Sequence, residues 1–231
     1  MLISGLQKLT LLDYPGTVAC TVFTQGCNLR CPFCHNAMLV LPEKMEQPLY
    51  TEDSVLDFLR KRQGIVEGVA ITGGEPLLHA DIPQFLEKIK ALGFKIKLDT
   101  NGTNPKLLKT VVDAKLVDRV AMDIKNSPEL YPVTTGVNVD MAAVTESKDY
   151  LLSGVVNYEF RTTVVKGLHT RESLVKAAEW IAGADEYYLQ QFKDSGDLIN
   201  AEGFAAYDER EMSGLCEAVK KYVPQAKVRG I

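Results

Sequence analysis

Val18-Ala19-Cys20-Thr21-Val22-Phe23-Thr24 leads straight into Gln25-Gly26-Cys27-Asn28-Leu29-Arg30-Cys31-Pro32-Phe33-Cys34-His35-Asn36. The first part is apolar and β-branched, and predicts a short strand. The second part is a loop with cysteines spaced C-x3-C-x2-C. A cubane [4Fe–4S] cluster is held by cysteine thiolates and normally takes four. Three thiolates leave one iron open to a small molecule, so Cys27, Cys31 and Cys34 predict a cluster that does chemistry. Structural zinc wants four closed ligands, and His35, next to Cys34, is poorly placed to close the same metal. A disulfide framework would leave an odd cysteine among the five present and suits secreted proteins.

Working outward from this loop, short strand-like runs alternate with helical patterns. The strands are expected at Val18–Thr24, Gly68–Thr72, Lys95–Asp99, Arg119–Ile124, Tyr158–Val165 and Glu186–Gln190. Helices are expected at Thr51–Arg62, Ile82–Leu92, Pro105–Ala114, Asp140–Ser153, Arg171–Ala182 and Asp208–Tyr222. Thr51 and Asp140 suit N-caps, Asn104-Pro105 offers a cap followed by Pro at the first helical position, and Thr170 precedes an acidic first turn. Six strands alternating with helices indicate parallel βα units. A closed eight-unit barrel needs about 250 residues, so 231 residues predict an α/β fold of incomplete (β/α)6 TIM-barrel type. No repeat or linker interrupts it, and one domain over residues 1–231 is expected.

Composition agrees. The chain is 46% hydrophobic and 24% charged, with a net charge of −4, which leaves no basic footprint for nucleic acid or anionic membrane. No apolar run approaches a membrane span. Met1 to Asp13 lacks the order of a secretory signal, so a cytoplasmic location, with its reduced thiols, is the expectation. Cys20 and Cys216 read as small core residues.

In parallel βα folds the site gathers at the C-terminal strand ends. Those ends carry the cysteine loop, Thr72-Gly73-Gly74-Glu75-Pro76, Asp99-Thr100-Asn101-Gly102, Asp123-Ile124-Lys125 and Gln190-Gln191. Each alone is an ordinary turn; together they predict one site.

The cysteine loop with Phe33 before its last cysteine, followed by Gly73-Gly74-Glu75-Pro76, resembles the radical S-adenosylmethionine (SAM) superfamily. Gly5-Leu6-Gln7-Lys8-Leu9, Leu12-Asp13-Tyr14-Pro15-Gly16, Cys34-His35-Asn36, Met122-Asp123-Ile124-Lys125 and Phe160-Arg161-Thr162-Thr163 narrow the match. They resemble the glycyl-radical-enzyme activases, the group that includes the anaerobic ribonucleoside-triphosphate reductase activating proteins. The resemblance implies an oxidoreductase that reductively cleaves S-adenosylmethionine at a [4Fe–4S] cluster. Its protein substrate would be a glycyl radical enzyme, and its electron donor a flavodoxin- or ferredoxin-type protein.

The resemblance also implies roles for residues. Gly73 and Gly74 would let backbone approach the methionyl amino group, and Glu75 would support that contact or stabilise the turn. Phe33 would lie by the adenine, with Gln190 as a polar edge. Asp123 and Lys125 would meet the ribose and the methionyl carboxylate, unless they form a plain strand-end ion pair. Asp99 and Thr100 would help hold a monovalent cation; alternatively Asp99 caps the Asn101-Gly102 turn. Asp13 and Arg161 would face the protein substrate, against a turn cap and a core ion pair respectively. His35, His79 and His169 are expected to be mainly structural. Two other functions compete: radical chemistry on a small molecule or peptide, and a non-enzymatic electron carrier or zinc module.

Overall fold

The computed structural model describes every residue except 42, 45–48, 195, 197 and 201. Its strands are β1 (Ile3–Thr10), β2 (Ala19–Thr24), β3 (Gly68–Gly73), β4 (Lys95–Thr100), β5 (Arg119–Asp123), β6 (Asn157–Val164), β7 (Tyr187–Gln191) and β8 (Lys227–Arg229). They form one sheet in chain order, with β1 antiparallel to β2 and every later pair parallel. Among the described residues β1 and β8 are the two edges, so the sheet curls without closing. The helices are α1 (Ala37–Val40), α2 (Glu52–Arg60), α3 (Ile82–Ala91), α4 (Pro105–Asp113), α5 (Tyr131–Thr135), α6 (Met141–Leu152), α7 (Arg171–Trp180) and α8 (Glu209–Val219). None is long and apolar enough to cross a membrane.

All six expected strands and all six expected helices are present, within a residue or three at their ends. The helix starts show why. Thr51 with Ser54, Thr170 with Ser173 and Asp208 with Glu211 form reciprocal capping boxes. Asn104 accepts from Leu107 N–H, and Asp140 from Ala142 and Ala143 N–H. Each such cap stabilises its helix by about 1 kcal/mol.

Alternation along the strands separates two faces. Cys20 and Val22, Val69 and Ile71, Ile96 and Leu98, Val120 and Met122, Tyr158 and Phe160, and Tyr187 and Leu189 belong to the apolar core. Phe85, Leu86 and Ile89 of α3, Val111 of α4 and Leu174 of α7 join them there. The intervening strand residues form the other, concave face, where Ala19, Phe23, Ala70, Ala121 and Tyr188 stand among polar residues: Thr21, Thr72, Lys97, Asp99, Arg119, Asp123, Glu159, Arg161, Thr163 and Gln190. A closed barrel of this kind fills its interior with branched apolar residues. This one carries the charged side chains of Lys97, Asp99, Arg119, Asp123, Glu159 and Arg161 there. Cys20 and Cys216 are buried in the apolar core, as expected.

Candidate active site

The cysteine loop leaves β2 at Thr24 and lies directly on the loop that leaves β3. Gly74 N–H donates to Thr24 O at 2.9 Å and Glu75 N–H to Gly26 O at 2.7 Å. A Cβ on Gly74 would fall 1.9 Å from Gly26 O, and one on Gly73 would fall 2.4 Å from Thr24 N and O. Gly73 also has φ +117°, which L side chains rarely adopt. The two glycines are therefore required by the packing of one loop on the other, before any ligand is considered.

Glu75 locks a third loop onto these two. It is 1% exposed. Its Oε1 accepts from Leu77 N–H (3.0 Å) and Thr100 Oγ1 (2.8 Å), and its Oε2 from Asn101 N–H (2.6 Å). Burial pushes this carboxyl up to about 7, against the pull of its three donors. Thr100 Oγ1 in turn accepts from Gly102 N–H at 3.1 Å. The turn after β4 is thus held by Glu75 and Thr100. Asp99, for which a turn cap is the alternative to a role beside a monovalent cation, does not cap it.

Asp99 instead joins a row of alternating charges across the concave face. Lys97 Nζ lies 2.5 Å from Asp99 Oδ1. Arg161 Nη1 reaches Asp99 Oδ2 at 3.1 Å across the intervening strand β5. The same guanidinium holds Asp123 Oδ1 at 2.9 Å, and Lys125 Nζ holds Asp123 Oδ2 at 2.9 Å. Burial would raise the Asp123 carboxyl, but Arg161 and Lys125 overcome it and hold it down at about 2. The resemblance implies a substrate-facing Arg161, with a core ion pair as the alternative. The guanidinium does pair with two carboxylates, and the residue also borders the cavity described next.

Of these charged groups Asp99, Asp123, Lys125 and Arg161 line one cavity of about 320 Å³, with Lys97 behind Asp99 and outside the lining. Cys27, Cys31, Cys34, Phe33, Gly73, Gly74, Glu75, Asp99, Thr100, Asp123, Lys125, Arg161, Gln190 and Asp13 all border it. Burial pushes the Cys27 thiol up to about 12 and raises that of Cys31, while the nearby Lys125 ammonium works against this. Phe33 is buried against Leu29, Val165 and Phe192, with its edge toward the His169 ring at 6.3 Å between centroids. Asp13 sits in the β1–β2 connection and accepts from Thr21 Oγ1 at 2.5 Å. His79 reaches Gln25 O at 2.9 Å, and His169 is fixed between Val165 N–H and Lys125 O. Both are structural, as expected.

Asn101 is the site residue that the sequence reading passed over as a turn former. Its Nδ2 donates to Asn28 Oδ1 at 2.9 Å and lies 3.9 Å from Cys27 Sγ. It ties the β4 loop to the first cysteine. Arg30, inside the cysteine spacing, donates from Nη1 to the carbonyls of Cys27 and Leu29, both at 2.7 Å.

Residues 21–181 match the model of the radical SAM superfamily. A Methanocaldococcus jannaschii protein that carries the name of a glycyl-radical enzyme activating enzyme is 31% identical, over 100% of this chain and 96% of its own length. A probable GTP 3′,8-cyclase of Thermococcus kodakarensis is 32% identical over 64% of this chain and 48% of its own length. Streptococcus suis SuiB, solved with S-adenosylmethionine bound, superposes with a TM-score of 0.70 at 19% identity, over 89% of this chain and 48% of its own. The chain belongs to the radical SAM superfamily, and its full-length relative places it with the glycyl-radical-enzyme activating enzymes. It is a radical SAM enzyme, whose family cofactors are a [4Fe–4S] cluster and S-adenosylmethionine.

The residues present fit both. Three thiols from one loop line a cavity that carboxylates, an ammonium and a guanidinium also line. Among the described residues no three His, Cys, Asp or Glu side chains converge on a single metal ion. The expected monovalent cation fits less well, because both Asp99 oxygens already face a lysine and an arginine.

Proposed function

We propose that this enzyme generates a glycyl radical on a partner enzyme, and that the partner is an anaerobic ribonucleoside-triphosphate reductase. The observation that carries the reading is the joining of the cysteine loop, the Gly73-Gly74-Glu75 loop and the Asp123-Lys125 strand end around one cavity. Similarity to an activating enzyme across the whole chain supports it. The choice of reductase rests on the residues around Asp13 and the cysteine loop quoted above.

When bound, the cofactors would supply one-electron reductive cleavage of a sulfonium, and with it the means to remove a hydrogen atom from a glycine Cα. Cys27, Cys31 and Cys34 would hold the cluster. Lys125, kept cationic by Asp123, offers its ammonium to the methionyl carboxylate. Asp123 accepts from the ribose hydroxyls, Phe33 packs by the adenine, and Gln190 offers it a polar edge. The Gly73-Gly74 backbone receives the methionyl amino group. Asp13 borders the cavity beside Leu11 and Leu12, which are 67% and 84% exposed. Such exposed apolar residues next to the reaction centre suit a protein substrate, whose glycine loop must come within about 3–3.5 Å of the 5′ carbon. Asp13 orients that loop.

Replacing any one of Cys27, Cys31 and Cys34 by Ala is expected to remove the brown cluster absorbance and all S-adenosylmethionine cleavage after anaerobic reconstitution. Cys20→Ser and Cys216→Ser should retain both, with some loss of stability from a buried hydroxyl. Full iron loading of the triple variant contradicts the assignment. Adding the reductase should accelerate 5′-deoxyadenosine formation. If a nucleotide or peptide does so and no glycyl radical enzyme does, the small-molecule reading replaces this one.

A further inference from the structure

Lys97 lies in the middle of β4, is 1% exposed, and has no part in the roles assigned above. A lysine ammonium this far from water is costly unless it is paired. Its Nζ lies 2.5 Å from Asp99 Oδ1, while Arg161 takes Asp99 Oδ2. Neither oxygen of this carboxylate is left for solvent alone.

Asp99 therefore has a cation on each of its two oxygens. Arg161 and Lys125 likewise take both oxygens of Asp123. A metal cation beside Asp99 would meet the Lys97 ammonium and the Arg161 guanidinium at close range, and like charges repel strongly where water is scarce. Lys97 is held away from water at 1% exposure, and its register neighbour on β3 is the small Ala70.

We infer that Lys97 is a built-in counter-ion for Asp99, so that S-adenosylmethionine binds here without help from a monovalent metal cation. This rests on the reading of the cavity as the cofactor site. Lys97 acts through Asp99 and is a positioning residue.

Calorimetric titration of S-adenosylmethionine into the anaerobically reconstituted, unreduced protein tests it. The salts are potassium, sodium, lithium and tetramethylammonium chloride at one ionic strength. The wild-type dissociation constants should agree within about twofold across the four salts. Lys97→Met leaves Asp99 short of a cation, and should bind about tenfold more weakly in tetramethylammonium and regain affinity in potassium. Lys97→Arg, which keeps the charge, should stay indifferent to the salt and guards against a Met variant that does not fold. A wild-type affinity that collapses in tetramethylammonium but is normal in potassium overturns the inference and leaves the cofactor site standing. Absence of binding in every salt removes both.

Discussion

Glu75 and Glu159 are the same residue type, 1% and 0% exposed, and their carboxyls move in opposite directions, up to about 7 and down to about 2. Burial pushes both upward. Glu75 meets that push with three neutral donors, from Leu77, Thr100 and Asn101. Glu159 meets it with Arg229 and Arg119, helped by the field of Lys97 and Arg161. At Glu75 hydrogen bonds from neutral groups fix the carboxyl in place without offsetting its burial, whereas at Glu159 opposite charge keeps the carboxylate ionised. The molecule uses the first solution to join loops and the second on the sheet's concave face.

The comparison can be broken from its stronger side. Glu159→Gln leaves Arg119 and Arg229 without their shared carboxylate, and should cost about 3–5 kcal/mol in urea denaturation at neutral pH. A loss below about 1 kcal/mol would show that Glu186 and the Tyr188 ring, 3.7 Å from the Arg229 guanidinium, suffice as partners. Glu75→Gln keeps an oxygen for Leu77 and Thr100 but turns an amide N–H toward Asn101 N–H. Its expected cost near pH 5 is about 1–3 kcal/mol.

Proton linkage sharpens the contrast. The Glu75 carboxyl is raised, so its contribution is full below the unfolded value of 4.5 and is lost as pH rises toward 7. The stability difference between wild type and Glu75→Gln should therefore shrink by up to about 3 kcal/mol between pH 5 and pH 8. Glu159 is lowered, so its contribution is present above 4.5 and is lost as pH falls toward 2. The penalty of Glu159→Gln should stay constant from pH 5 to 8 and fade below pH 4. Parallel pH profiles for the two variants would contradict the assignment of the two environments.

The helices were legible because their caps and apolar faces are local in sequence. Two edge strands were not. Ile3–Thr10 has a Gly at position 5 and polar residues on its exposed side, and Lys227–Arg229 is only three residues long. The short helices Ala37–Val40 and Tyr131–Thr135 also carry too few turns for a periodic signal. The cysteine loop and strand-end motifs located the site from sequence because their residues follow strands. Lys97 and Glu159 stayed hidden for a different reason. Alternating polar residues in a strand read as a solvated face, and the pattern cannot distinguish water from a charged interior. The ion pairs of Asp99 were hidden for the same reason, since its partners come from positions 97 and 161.

The central claim is that this enzyme places a radical on the backbone of another protein. It is tested most directly by electron paramagnetic resonance of the reduced, reconstituted enzyme mixed with S-adenosylmethionine and an anaerobic ribonucleoside-triphosphate reductase. The account predicts a persistent doublet that collapses when the reductase carries α-deuterated glycine, and that is absent with Cys31→Ala. Turnover of S-adenosylmethionine with no doublet on that reductase or on any other glycyl radical enzyme, while a small metabolite consumes the cofactor stoichiometrically, would contradict it.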